Sequence, residues 1–158
     1  PLGILVPWSV RGRLLVQEAW CTLKSWDAEL PDAMAERARA WATELSNCDP
    51  IPIPRICAIP PFGLDCFVDA STKAACATVY LVDPNGHRNL LAAKSRLAPS
   101  SVKLTVPRME LIGALIGVRL VSFVLQALEG PNRPDPIRFF TDSMDVLYWL
   151  QRRRPLKP

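Results

Sequence analysis

Three acidic residues stand where a carboxylate is either capping backbone or free to hold a cation. Asp69 closes an apolar run in Phe67-Val68-Asp69-Ala70-Ser71, Glu110 follows a proline in Pro107-Arg108-Met109-Glu110-Leu111, and Asp142 ends a second run in Phe140-Thr141-Asp142-Ser143. Taken singly, each has a structural role: Asp69 in an Asx turn, Glu110 answering a helix dipole, Asp142 as an N-cap. Taken together, two strand ends and a helix start can bring three carboxylates to one point. An all-oxygen donor set of that kind is what hard divalent cations such as Mg²⁺ prefer.

Other chemistries find less support. The single histidine, His87, follows Asn85-Gly86 in an expected turn, so a histidine zinc site or a Ser-His-Asp triad would rest on that one residue. Five cysteines, at 21, 48, 57, 66 and 76, contain no CxxC pair and spell out neither a disulfide framework nor a zinc knuckle; reduced, mostly buried thiols are expected. Lys94 and Arg96 share a strand face by period two and could meet phosphates, and Arg152-Arg153-Arg154 could touch nucleic acid. Solvated charge is the better reading of both groups, the second as basic residues in a last helical turn. A net charge of +4 permits a polyanionic partner without requiring one.

The elements that would position the carboxylates follow from pattern. Of the 158 residues, 49% are hydrophobic and 22% charged, enough to bury a real core. Ser9 is expected to cap a helix whose Val16, Ala19, Trp20, Leu23 and Trp26 share one face, and a second helix after Pro31 carries Met34, Ala38, Trp41 and Leu45. Together they predict a helical hairpin. Prolines at 50, 52, 54, 60 and 61 hold the next stretch extended and mark the boundary, giving units 1–55 and 56–158. In the second unit Cys66-Phe67-Val68 predicts a strand, Ala75 to Val82 another, and Asn85-Gly86 a hairpin returning along Leu90 to Leu97. Pro107 opens a long apolar helix, expected to be buried nearly all round, and Gly130-Pro131 closes it. Because that stretch would place Arg119 near the middle of a membrane span, a core helix is the better reading. Ile137 to Thr141 predicts a fourth strand and Ser143 to Gln151 a fourth helix. The fold class is α/β, a mixed sheet in the order β-β-β-α-β-α after an α-helical hairpin.

These residues resemble the Pol polyprotein of BEL/Pao long-terminal-repeat retrotransposons. The likeness runs almost end to end, through Pro1-Leu2-Gly3, the helix from Arg11-Gly12-Arg13 to Trp20, Phe67-Val68-Asp69-Ala70-Ser71, Ala92-Ala93-Lys94-Ser95-Arg96, Pro107-Arg108-Met109-Glu110-Leu111 and Thr141-Asp142-Ser143-Met144. The resemblance implies that the first unit is a thumb or connection region trailing the reverse transcriptase, and the second the first part of a ribonuclease H-like domain. It implies two Mg²⁺ ions, with Mn²⁺ as a substitute, and cleavage of the RNA strand of an RNA/DNA hybrid. Asp69 would bridge both ions, Glu110 and Asp142 would serve the leaving-group ion, and Ser71, Lys94 and Arg96 would contact substrate. The remaining Pol segments, reverse transcriptase and integrase, are the implied partners, in cytoplasmic retrotransposon particles and without a membrane.

The family's fourth ligand is expected on a fifth strand and closing helix beyond Pro158, so the site in this chain is expected to be incomplete. No Tyr-x-Asp-Asp polymerase motif is present. A second reading is a module that grips a hybrid or another part of Pol without cutting. A third, an aspartic peptidase, lacks the Asp-Thr/Ser-Gly such enzymes use.

Overall fold

The computed structural model describes residues 3–23, 25–52, 61–128, 130 and 133–152. Along the chain run α1 (Val6–Thr22), α2 (Asp32–Ser46), β1 (Gly63–Ala70), β2 (Ala74–Val82), β3 (Arg88–Leu97), α3 (Val106–Ala127), β4 (Ile137–Phe140) and α4 (Met144–Gln151). This is the expected order. The four strands form one sheet in the order β3-β2-β1-β4, antiparallel except for the parallel pair β1 and β4, and α3 carries the chain from β3 across to β4.

Period-two alternation decides which side of the sheet is dry. Leu64, Cys66 and Val68 of β1 and Ala77, Val79 and Leu81 of β2 turn to α3, where Leu120, Val121 and Val124 complete the core. Full burial of each Leu or Val there is worth about 1.5–3 kcal/mol. Small residues set the helix height: a Cβ on Gly117 would sit 2.6 Å from Val68 Cγ1 and 3.0 Å from Cys66 Sγ. Only glycine lets the helix backbone lie this close to the strand. Burial also pushes the Cys66 thiol up to about 11.

α1 and α2 are joined by a reciprocal tryptophan pair. The rings of Trp8 and Trp41 stack with centroids 4.1 Å apart. Each indole N–H donates to the other residue's carbonyl, Trp8 Nε1 to Trp41 O at 3.0 Å and Trp41 Nε1 to Trp8 O at 2.9 Å. Trp41 lies directly on Gly12, leaving no room for a side chain. Arg37 adds a two-point bond to Glu18, and Arg11 pairs with Glu44.

The hairpin also protects the sheet. β3 is an outer strand, and α1 lies against it: Arg13 donates to Ser95 O, Gln17 to Ala98 O at 2.7 Å, and Gly3 is pressed on the Ala93 backbone. Backbone groups at the rim of a sheet are otherwise open to pairing with another chain.

Several expectations need correction. α1 starts at Val6 rather than after Ser9, because the proline beside it favours a first turn, and the Ser9 hydroxyl donates back to Val6 O within the helix. The helix ends at Thr22, so Leu23 and Trp26 lie beyond it, and Val16 and Trp20 on its apolar face stay exposed, because α1 meets its neighbours through Gly12, Arg13 and Gln17. α3 is buried along one stripe only, with Leu115, Val118 and Phe123 facing outward. Cys21 and Cys48 are exposed thiols, and Cys57 lies outside the described residues. The expected boundary between units falls partly on residues 53–60, also outside them.

Candidate active site

The parallel pair sets the geometry. β1 and β4 run side by side in a register that pairs Leu64 with Ile137 and Phe67 with Phe140. Carried on by two residues, that register puts Asp69 and Asp142 at the same level, at the carboxyl ends of the two neighbouring strands. The amino end of α3 lies over this point, since a Cβ on Gly113 would be 3.3 Å from Asp69 O, and Glu110 is one helical turn before Gly113.

Each carboxylate has a different local state. Asp69 is exposed and accepts from the next amide, Ala70 N, at 2.6 Å. Glu110 is half-buried, and the Ser143 hydroxyl donates to its Oε2. Asp142 is exposed, with no hydrogen bond or ion pair among the described residues. It is not the N-cap of α4. Ser143 takes that role, accepting from Val146 N at 3.2 Å while its own proton goes to Glu110. One buried hydroxyl therefore ties the start of α4 to the start of α3 and leaves Asp142 unengaged.

The three side chains do not meet. By strand alternation Asp69 belongs with Asp65 and Phe67 on the side turned from α3, whereas Glu110 descends from α3 itself. Among the described residues no three His, Cys, Asp or Glu side chains lie close enough to hold one ion. The donors have the right chemistry for Mg²⁺ and the right end of the sheet, and ligation requires the side chains to turn inward across its rim.

Ser71 works in the β1–β2 turn, where its hydroxyl accepts from Lys73 N at 3.1 Å and Ala74 N at 3.3 Å. Lys94 and Arg96 are exposed on β3, opposite Ala77 and Ala75, on the α3 side of the sheet. Of the basic run, Arg152 lies over the Tyr148 ring at 4.4 Å, and Arg153 and Arg154 fall outside the described residues.

A charge cluster centred on β1 and β4, four residues before Asp69 and Asp142, was not anticipated. Asp65, 0% exposed, is bound by Arg88 Nε at 2.8 Å and by Arg138 through Nε at 2.7 Å and Nη2 at 3.1 Å. Burial pushes its carboxyl up, but the guanidiniums of Arg138 and Arg88 outweigh this and hold it below its ordinary 3.8. An acidic residue at a strand position whose neighbours are all buried was the available signal.

Residues 1–143 match the family described as Pao retrotransposon-like RNaseH-like domain. No curated protein sequence matches the chain. Among solved structures it is similar to a foamy viral protease-reverse transcriptase in complex with dsDNA, with TM-score 0.54, 16% identity, and coverage of 93% of this chain and 29% of that one. It is also similar to the foamy viral protease-reverse transcriptase dRH in complex with dsDNA, with TM-score 0.52, 16% identity, and coverage of 94% of this chain and 24% of that one. The chain thus spans less than a third of the proteins it matches, and at this identity the likeness is one of fold.

Proposed function

Starting from the fact that this chain belongs to the Pao retrotransposon-like RNaseH-like domain family, we propose that it is the part of a retrotransposon Pol polyprotein that grips RNA/DNA hybrid, and that Asp69, Glu110 and Asp142 are carboxylates of a ribonuclease H-type site. The observation that supports this reading is the parallel register of β1 and β4, which, carried on two residues beyond Phe67 and Phe140, sets Asp69 level with Asp142 at the end of the sheet where α3 begins.

Bound Mg²⁺ would supply Lewis acidity at the scissile phosphate and a more acidic attacking water. The chain's own residues do the rest. Asp69 and Asp142 present acceptor oxygens from the strand ends, Glu110 from the helix, and Ser143 fixes the Glu110 rotamer by donating to Oε2. Lys94 and Arg96, exposed on β3, would supply positive charge to phosphate, and the 2′-hydroxyl distinguishes RNA from DNA. By the family's pattern a fourth carboxylate completes the set, and reverse transcriptase and integrase segments of Pol are the proposed neighbours.

The test is Mg²⁺-dependent cleavage of a labelled RNA strand in a hybrid, by the parent Pol polypeptide and by residues 1–158 side by side. Asp69→Asn, Glu110→Gln and Asp142→Asn should each lower the parent's rate roughly 100-fold or more without changing its melting temperature. The 1–158 chain should bind hybrid and cut it far more slowly than the parent. Cleavage in the parent that survives Asp69→Asn overturns the assignment. The separation of the three side chains favours a second reading, binding without cutting. Hybrid binding by both proteins with cleavage by neither would establish it.

A further inference from the structure

The apolar face of α1 that the sheet leaves uncovered is not featureless. Val16, Ala19, Trp20 and Leu23 join Trp26, Ala28 and Leu30 of the following loop to line a notch of about 480 Å³. Trp20 and Trp26 touch at 5.0 Å between ring centroids, yet are 63% and 79% exposed. Tryptophan leaves water with a large gain, and two of them side by side at this exposure mark a surface built for contact.

Charge around the notch narrows the occupant. Asp27 and Glu29 alternate with the lining residues of the loop, and Asp32 and Glu36 follow on the first turns of α2. Residues 25–36 contain these four acids and no Lys or Arg, in a chain of net charge +4, while Lys24 just before them lies outside the described residues. None of the four acids is in an ion pair among the described residues, and the nearby Arg37 is already held by Glu18. Unscreened acids around an apolar notch repel phosphate backbones and anionic lipid and attract Lys and Arg. The residues proposed to meet phosphate, Lys94 and Arg96, are elsewhere, on β3, and carry the opposite charge.

We infer that the Trp20–Trp26 notch is a docking site for a protein segment with an apolar anchor flanked by Lys or Arg. The anchor packs into the notch against the exposed faces of the two indoles, and the basic flanks lie along Asp27, Glu29 and Asp32. This inference does not depend on nuclease activity.

The full 158-residue chain is titrated into fluorescently labelled amphipathic peptides of about four helical turns. One carries Leu on one face and Lys on the other, and its twin carries Glu in place of Lys; binding is read by anisotropy. The Lys peptide should bind at least about tenfold more tightly than the Glu peptide. Trp26→Ala should weaken it by about tenfold or more, and the double change Asp27→Asn, Glu29→Gln by about fivefold with a shallower salt dependence. All these side chains are exposed, so the variants should keep the parent melting temperature. Equal affinity for the two peptides, no binding of either, or an unaffected Trp26→Ala variant overturns the inference. So does Trp26-dependent binding of a single-stranded oligonucleotide or of anionic phospholipid vesicles in the same assay.

Discussion

The two faces of the sheet are specified by different physics. Beneath α3 the contact is made of shape alone: Ala75, Ala77, Gly113 and Gly117 let helix and strands approach, and among the described residues no charged side chain is buried there. On the other face Phe67 and Phe140 stack at 4.7 Å, Tyr80 meets Phe67 edge-on at 5.8 Å, and Asp65 is sealed beneath two arginines. Close packing tolerates no added volume but would accept several hydrophobic sequences of the same bulk. Charge pairing is less tolerant of register. Asp65 and Arg138 are direct partners across β1 and β4, and a one-residue slip would set Ile137 or Phe139 opposite a buried carboxylate. The packed face therefore supplies the mechanical base, and the charged face fixes the register that brings Asp69 level with Asp142.

The contrast is broken most severely from the packed side. Gly117→Val, driven into Val68 and Cys66, should cost roughly 3 kcal/mol, read as a lowered urea midpoint. A variant as stable as the parent would mean that α3 is free to lift off the sheet.

A smaller loss is expected from Asp65→Asn, about 2 kcal/mol at neutral pH, because each guanidinium left behind is about half exposed and regains water. Its pH dependence separates the two faces. Since the folded state holds the Asp65 pKa below 3.8, its stabilisation is complete above that value and is lost as pH falls through the lower folded value. The gap in urea midpoint between parent and Asp65→Asn should therefore narrow in acid, whereas the gap for Gly117→Val should not. A gap for Asp65→Asn that stays constant down to the acid limit of folding would remove the charge argument.

The mildest change is Phe140→Ala. Its ring is 37% exposed, and the stacked partner Phe67 remains supported by Tyr80, so about 1 kcal/mol should be lost. A loss approaching that of Gly117→Val would show that this face is as tightly packed as the other.

The order of elements along the chain, the Asn85-Gly86 hairpin and the α3 crossover were legible because each depends on local pattern: alternation, turn chemistry and a proline-led helix start. The hairpin nevertheless closes through a longer turn than a two-residue one, in which Asp83 Oδ1 accepts from both Asn85 N and His87 N at 2.9 Å. Positions for Asp69, Glu110 and Asp142 at two strand ends and a helix start were legible for the same reason. The side of the sheet each carboxylate takes was not, because it depends on where β1 alternation ends relative to α3. Nor was Ser143 as the cap of α4, since Asp142 beside it is an equally good capping type. The fate of the α1 apolar stripe was hidden too. Periodicity identifies such a face without saying whether this chain or another covers it.

The tryptophan pair between α1 and α2 has an optical consequence. Two indoles stacked 4.1 Å apart at a fixed 16° share their excited states, so the pair carries a circular-dichroism signature that isolated indoles lack. Neither the strands nor α3 contains a tryptophan, so this indole signal is not theirs, and it vanishes once the rings part. The chain thus contains its own reporter for opening of the helical hairpin, readable during denaturation separately from the melting of the sheet.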